Sequence, residues 1–194
     1  MDGCWYPEGT ANFVALVCYL PEPLASLVDR IRCELGQSSE CRSHLTLLPP
    51  RPLIGSPDRT WDEIKSSLQA VSPIEVELVE VRVFPVSEAV YISVGRGARE
   101  LERTHALLNR GHLEFREPWI YHPHVTLAQD LPSERIAEVA AHAAGRWSDF
   151  TGKRTFAVEH LTFGQNVVPE SVQEGKRGRW KDLAEYDLRA VAPV

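Results

Sequence analysis

The chain lacks the features that mark membrane, polyanion-binding and disulfide-stapled proteins. No apolar stretch approaches the roughly 20 residues that a transmembrane helix needs. With 27 acidic against 21 basic residues, the net charge is −6, which argues against a broad basic surface for nucleic acid. The 4 cysteines contain no CxxC pair, and the N-terminal residues lack the regions of a secretory signal. These absences predict a cytosolic protein with reduced thiols, with one disulfide as the alternative.

The composition predicts one globular domain over residues 1–194, since 43% of the residues are apolar and 25% are charged. Hydrophobic patterning predicts the same order of elements twice: strand, helix, His-containing strand, helix, strand. In the first half these are 13–20, 21–36, 43–48 ended by PPRP, a helix from the capping box at 60–63, and 74–84. In the second half they are 89–94, about 97–110, 121–128, a helix from Ser133, and 154–163.

An internal duplication explains this order. The apolar positions shift phase once within 74–84 and once within 154–163, at a common offset of 80 residues. Such a shift is typical of a β-bulge or a sharp bend. The sequence therefore predicts two repeated lobes, about 12–84 and 89–164, with a closing strand at about 184–191. The alternative is that two unrelated apolar strands happen to align.

The same offset of 80 links two short motifs, HLTLL from His44 and HVTLA from His124. Only 7 histidines and 8 threonines occur in the chain, so a repeated His-x-Thr is unexpected by chance. Because residues i and i+2 of a strand share a face, each histidine is expected beside the threonine of its own motif, Thr46 or Thr126. A third triplet begins at His160, but its equivalent in the first half is Glu80, and it is predicted to be a coincidence.

Two facing His/Thr pairs suit chemistry at a phosphodiester. With ordinary pKa values near 6.5, one imidazole can act as a base and the other as an acid at neutral pH. The threonine hydroxyls can donate hydrogen bonds to the non-bridging oxygens of a phosphate. This set predicts in-line opening or closing of a phosphodiester, a reaction that needs neither a metal nor another cofactor.

The paired motifs resemble those of the two-histidine phosphoesterase superfamily, which includes 2′-5′ RNA ligase-like proteins and 2′,3′-cyclic phosphodiesterases. The resemblance extends over nearly the whole chain. It implies an α+β fold in which two duplicated βα lobes place antiparallel sheets around a central cleft. It also implies that His44 and His124 are the catalytic acid and base, and that Thr46 and Thr126 bind phosphate. The implied substrate is a small nucleotide or an RNA end, and a monomer is expected.

Four further residues are candidates for substrate binding, each with a plainer alternative. Arg42 and His122 both lie two residues before a motif histidine, where they could contact phosphate or simply form a polar sheet rim. Tyr91 could stack on a base or pack in the core. Arg51 could reach the mouth of the cleft or lie on the surface.

Two regions remain open in function. The segment GKRGRWK, 175–181, has four basic residues around a tryptophan and could hold single-stranded RNA, or it could be a solvated hairpin. In REPWIYH, Trp119 and Tyr121 could frame the cleft or pack. The remaining histidines, His105, His112 and His142, are expected at the surface.

Three other functions compete with the phosphodiesterase. The motif histidines together with His122 could form a three-histidine metal site in a hydrolase. The groove could bind a nucleotide or RNA without catalysis. Both motif histidines could also be buried in purely structural hydrogen bonds.

Overall fold

The computed structural model describes residues 10–37, 42–169 and 180–190, and the side chains of 12–37, 42–166 and 180–190. The strands are β1 (Thr10–Tyr19), β2 (His44–Pro52), β3 (Ile74–Val83), β4 (Val90–Val94), β5 (His124–Ala128), β6 (Thr155–Val158), β7 (His160–Pro169) and β8 (Trp180–Asp187). The helices are α1 (Leu24–Glu34), α2 (Pro57–Leu68), α3 (Ala98–Leu108) and α4 (Ile136–Ser148). Short 3-10 turns span Gly111–Leu113, Ser133–Arg135 and Leu188–Ala190.

The strands form two antiparallel sheets of equivalent order. Sheet one has the order β2-β1-β7-β8, and sheet two has the order β5-β4-β3-β6. Each sheet takes strands from both halves of the chain, since β7 pairs with β1 and β3 pairs with β4. The motif strands β2 and β5 are the outer strands of their sheets and contact each other. The α+β fold predicted from the sequence, with two antiparallel sheets, is confirmed. The boundaries of the repeat stay a prediction.

The two sheets also have equivalent register around the motifs. In sheet one, Val17 of β1 lies opposite both Thr46 and Thr162. In sheet two, Tyr91 of β4 lies opposite both Thr126 and Arg82. Residues directly opposite each other share a face. Thr46, Val17 and Thr162 therefore lie side by side on one face of sheet one, and Thr126, Tyr91 and Arg82 do so on one face of sheet two.

The two phase shifts have different structural outcomes. In β3 the register shifts between Leu78 and Val81, as a bulge does. In the second half the chain breaks at Glu159, so the single strand predicted over 154–163 is instead β6 in sheet two and β7 in sheet one. Periodicity alone cannot separate these outcomes, because both shift the apolar positions by one residue.

Two predicted boundaries were wrong for local reasons. PPRP does not end β2, which continues to Pro52. Its prolines are tolerated because β2 is an outer strand and needs no hydrogen-bond donor on its open edge. The second helix begins at Pro57, where the hydroxyl of Ser56 accepts from the amide of Arg59. Thr60, predicted as the cap, lies inside the helix and its hydroxyl donates to the Ser56 carbonyl.

The hydrophobic core is continuous between the two sheets and the helices. Helix α1 contacts β5, and helix α3 contacts β2, so each helix packs against a motif strand of the other half. Gly97 begins α3 with φ of +87°, and a Cβ there would lie 2.4 Å from the Glu75 carbonyl oxygen. Only glycine fits this turn. None of the helices in the described part of the chain is long and apolar enough to span a bilayer.

Candidate active site

The two motif strands have the same alternation of burial. In each, the histidine and threonine are partly exposed while the apolar residues between and after them are buried. The buried residues are Leu45, Leu47, Val125 and Leu127, each with no exposed surface. The alternation predicted from strand geometry is therefore present in both motifs, and it turns His44, Thr46, His124 and Thr126 away from the core.

Both imidazoles are held by the same backbone contact. Nδ1 of His44 lies 2.7 Å from the carbonyl oxygen of Arg42, and Nδ1 of His124 lies 2.7 Å from that of His122. Because a carbonyl only accepts, Nδ1 carries the proton in each neutral ring and Nε2 has the lone pair. Neither Nε2 has a hydrogen-bond partner among the described residues. Each ring therefore offers one nitrogen for proton transfer.

The environment lowers the pKa of both histidines. Burial is the largest cause in each, and the hydrogen bond from Nδ1 to the carbonyl partly opposes it. For His124, charges on His122 and His44 lower the pKa further. A charge on His44 can affect His124 because the strands that hold the two rings are in contact. Protonation of one ring thus disfavours protonation of the other, which favours one acid and one base over two acids.

Both motif threonines have unoccupied hydroxyls. Within the described residues, neither the Thr46 nor the Thr126 hydroxyl has a hydrogen-bond partner. A partly exposed hydroxyl beside an unpartnered imidazole nitrogen is available to a ligand. The pair therefore meets the requirement for binding phosphate oxygens.

Arg42 and His122 are equivalent through their backbone and differ in their side chains. Each carbonyl fixes a motif ring, a role that the sequence did not reveal. The Arg42 side chain is 69% exposed and lies 3.7 Å above the Tyr19 ring, beside His44. His122 packs edge-on against Phe84 and Tyr91, and its Nε2 is buried. Of the two side chains, only Arg42 is placed to reach an anionic substrate.

An aromatic cluster supports His124. Tyr91 is 5% exposed, so it packs in the sheet rather than offering its face to a base. Its ring stacks on Phe84 at a centroid distance of 3.9 Å, and both rings meet His124 edge-on. The sequence pattern predicts Phe84 only as the end of an apolar strand. Its place near Tyr91 could have been found from its spacing, because Phe84 lies two residues after Arg82, which is opposite Tyr91, and residues two apart in a strand share a face.

Arg51 does not lie at the cleft mouth or on the surface, and the prediction for it was wrong. It is 1% exposed, and its guanidinium donates to Asn109, to the Leu113 carbonyl and to Glu117. With these donors occupied it cannot bind substrate. Because β2 continues through PPRP and is followed by the buried Leu53, Arg51 also lies in the interior.

His105 was also expected at the surface but is 8% exposed. Its Nε2 contacts Glu117 at 2.8 Å, and its ring stacks on Tyr121 at 4.0 Å. The Tyr121 hydroxyl in turn donates to the Thr46 carbonyl at 2.8 Å. Tyr121, at the start of the predicted second motif strand, therefore packs and fixes the first motif. Trp119, by contrast, is 58% exposed.

The remaining predictions concern metal, thiols and the basic segment. Among the described side chains, no three histidines, cysteines or carboxylates are grouped as a metal shell would require, so the three-histidine site is not assembled. Cys18 is free and buried, and burial raises its pKa to about 12, while Cys33 is free and exposed. Cys4, Cys41 and residues 175–179 of the basic segment lie outside the described residues.

The geometry of the paired motifs agrees with the sequence relationships of the chain. Residues 20–170 match the 2′-5′ RNA ligase superfamily. The chain belongs to this superfamily. This is the two-histidine phosphoesterase group that the motifs HLTLL and HVTLA predicted.

Two curated relatives of this superfamily member come from Geobacillus. One, from Geobacillus sp. (strain WCH70), is named as a candidate phosphoesterase and is 29% identical over 107 residues. The other, from Geobacillus kaustophilus (strain HTA426), has the same description and is 26% identical over 106 residues. Each match covers 50% of this chain and 61% of the relative, so the chain spans less than two thirds of these proteins.

Solved structures share the fold at low sequence identity. E. coli LigT in its apo form matches with a TM-score of 0.56 and 16% identity, over 91% of this chain and 97% of LigT. LigT complexed with 3′-AMP matches with a TM-score of 0.59 and 16% identity, over 91% and 98%. At this identity the likeness concerns the fold alone.

Proposed function

We propose that this protein is a phosphodiesterase that opens 2′,3′-cyclic phosphates of RNA-type nucleotides by acid–base catalysis, without a metal. One observation carries the proposal. Two imidazoles lie on contacting strands, each fixed through Nδ1, and among the described residues neither their Nε2 atoms nor the hydroxyls of their motif threonines have a hydrogen-bond partner. A binding module would need no second imidazole.

The reaction follows from these groups. Nε2 of one histidine removes a proton from water as the water oxygen attacks phosphorus in line. The bond between phosphorus and the leaving ribose oxygen breaks, and Nε2 of the other histidine donates its proton to that oxygen. The Thr46 and Thr126 hydroxyls donate hydrogen bonds to the non-bridging oxygens as their charge grows. The product is a nucleoside 2′- or 3′-monophosphate, in which the other of these two ribose oxygens has become a hydroxyl.

The same groups can use a second nucleophile. If a ribose 5′-hydroxyl group replaces water, the base removes its proton, the cyclic phosphate opens to a phosphodiester and the acid protonates the departing ribose oxygen, which is ligation. The two histidines exchange roles only in the reverse reaction, in which that phosphodiester closes again to the cyclic phosphate. We therefore infer that 2′-5′ ligation is a second activity of the same site.

Three features of known proteins support this substrate class. The superfamily is described by 2′-5′ RNA ligation. Both Geobacillus relatives are described as candidate phosphoesterases. LigT has been crystallised with 3′-AMP, which is a nucleotide with the phosphate position of an opened cyclic phosphate.

The deciding experiment is product analysis on a panel of 2′,3′-cyclic nucleotides and cyclic-phosphate-ended oligonucleotides, with and without a chelator. We expect conversion to monophosphates at equal rates in both conditions. Loss of turnover in chelator would replace the proposal by a metal-dependent hydrolase. Tight nucleotide binding with no product would identify a binding module instead.

The pH profile of hydrolysis should be bell-shaped, with its maximum below the ordinary histidine pKa of about 6.5. The base must be neutral, so kcat/KM falls as pH drops through its pKa. The acid must be protonated, so kcat/KM falls as pH rises through its pKa. Because burial lowers both pKa values, both limbs move to lower pH. A maximum of kcat/KM above pH 7.5 would contradict this arrangement of the histidines.

Replacing either motif threonine should slow catalysis without disturbing the fold. Thr46→Val and Thr126→Val keep the shape of the side chain but remove the donor to phosphate. We expect kcat to fall about 10²-fold for each, as for other single donors to a developing oxyanion. The control is Thr151→Val at an exposed position, which should leave kcat unchanged. Wild-type kcat in both motif variants would remove the hydroxyls from the mechanism.

A further inference from the structure

A cavity of about 590 Å³ lies beside the first motif, on the polar face of sheet one. It is lined from β1, β7 and β8 and does not contain the motif residues themselves. Tyr19 and Arg42 border it, and Tyr19 lies opposite His44 with the two rings edge to face at 6.4 Å. The cavity therefore adjoins the proposed phosphate site, and the stacked side chains of Arg42 and Tyr19 lie at their shared border.

The register fixes how far the cavity lies from that phosphate site. Val17 is directly opposite Thr46 on one side and Thr162 on the other. Thr162 is thus two strand spacings from Thr46, about 10 Å, on the same face. This is a distance that one nucleoside attached to the phosphate can span.

Thr162 presents an unused hydrogen-bonding group to the cavity. It is only 6% exposed, it lines the cavity, and its hydroxyl has no hydrogen-bond partner within the described residues. Glu185 of β8 lies directly opposite Thr162 and also lines the cavity. A hydroxyl and a carboxylate on neighbouring strands form a donor–acceptor pair that suits hydroxyl and amino groups of a ligand.

His160 lies beside this carboxylate, and its ring is held on the other side by Arg189. Its Nδ1 lies 3.0 Å from Glu185, and its Nε2 lies 2.9 Å from the Arg189 guanidinium. Because arginine only donates, Nε2 accepts and Nδ1 carries the proton. Nδ1 is buried and lies within ion-pair distance of Glu185, but it forms no hydrogen bond among the described residues. The Nε2 of His160 is thus held by Arg189, whereas the Nε2 atoms of His44 and His124 have no hydrogen-bond partner within the described part of the chain.

The charges of the described cavity lining disfavour a further phosphate. The charged side chains in its lining are the carboxylates Asp182, Glu185 and Glu159 and the cation Arg42, and Glu159 is paired with Arg189 outside the lining. Asp182 accepts from the Tyr19 hydroxyl at 2.7 Å and lies 3.9 Å from Arg42, so the one cation among the described lining residues is held at the border with His44. An anionic group inside the cavity would be repelled by these carboxylates, whereas an uncharged group could donate hydrogen bonds to them.

We propose that this cavity binds the nucleoside part of the substrate, and that its carboxylates select a nucleoside 2′,3′-cyclic phosphate with a free 5′-hydroxyl over one extended by a 5′-phosphate. The substrate selection rests on the proposed phosphodiesterase function, whereas binding of the nucleoside can be tested without it. It makes the preferred substrate a cyclic mononucleotide rather than the end of an RNA chain. The base and the 5′-hydroxyl enter the cavity while the cyclic phosphate stays between the motif histidines.

The binding arm uses adenosine, which has no phosphate, and calorimetry with the whole chain. We expect Thr162→Val and Glu185→Gln each to weaken adenosine binding at least 5-fold, and Glu138→Gln, an exposed carboxylate on α4, to leave it unchanged. Binding of inorganic phosphate should be unaffected by all three variants. Glu185 is largely exposed, so Glu185→Gln tests the idea even if Thr162→Val does not fold.

The turnover arm compares kcat/KM for 2′,3′-cyclic AMP with and without a 5′-phosphate. We expect the 5′-phosphate to lower kcat/KM at least 10-fold, and Glu185→Gln combined with Asp182→Asn to reduce that ratio to below 3-fold. If neither substrate is turned over but adenosine binds as expected, the phosphodiesterase proposal is wrong and the nucleoside site stands. If both substrates are turned over but adenosine binds equally well to both single variants, the nucleoside site is wrong and the phosphodiesterase proposal stands.

Discussion

Replacing either motif histidine with alanine should nearly abolish hydrolysis of 2′,3′-cyclic nucleotides. His44→Ala and His124→Ala each remove one partner of a proton transfer that typically accelerates a reaction by about 10²- to 10⁴-fold. We expect kcat to fall within that range for each variant. In the double variant the loss should be less than the product of the two single losses, because the residues act as a unit. Rates of product formation under substrate saturation measure these effects.

The matched control for this experiment is His142→Ala. His142 is an exposed histidine of α4 that pairs with Glu34 of α1 at the surface of the protein. Its removal should leave kcat unchanged. The acid–base assignment would be untenable if either motif variant retained more than about a tenth of the wild-type kcat while folding normally, since that is less than the smallest effect expected of a general acid or base.

Arg51→Met should produce the largest loss of stability among single substitutions near the site. The guanidinium is 1% exposed and is the cationic partner of Glu117, whose side chain is 11% exposed. Removing it leaves a buried carboxylate without the arginine and removes the guanidinium donor to the Leu113 carbonyl and one of the two donors to the Asn109 side-chain oxygen. Breaking a buried ion pair from one side typically costs about 3–5 kcal/mol. Urea denaturation gives the free energy of unfolding.

Arg82→Met provides the comparison for a second arginine–glutamate pair. Arg82 and Glu80 form an ion pair in which both side chains are more than half exposed. Water can solvate the glutamate when the arginine is lost, so we expect no measurable change in the unfolding midpoint. Equal midpoints for Arg51→Met and the wild type would show that the interior network around Glu117 contributes nothing to the fold.

The errors of the sequence-based predictions share one cause. Arg51 and His105 were judged by residue type, which favours the surface for both. Each is buried because it meets Glu117, and that contact joins segments more than ten residues apart. The break at Glu159 was missed for a related reason. A strand that moves from one sheet to the other keeps the same apolar pattern as a strand with a bulge.

The sequence by itself determined the alternation of both motif strands, the order of their elements and the pairing of His44 with Thr46 and of His124 with Thr126. These are local properties, set by the period of a strand and by buried leucine and valine. Only the tertiary structure decided that β3 and β7 exchange sheets, that Tyr121 ties one motif to the other, and that Thr162 faces a cavity. Such contacts depend on which strands become neighbours, and no spacing along the chain specifies that.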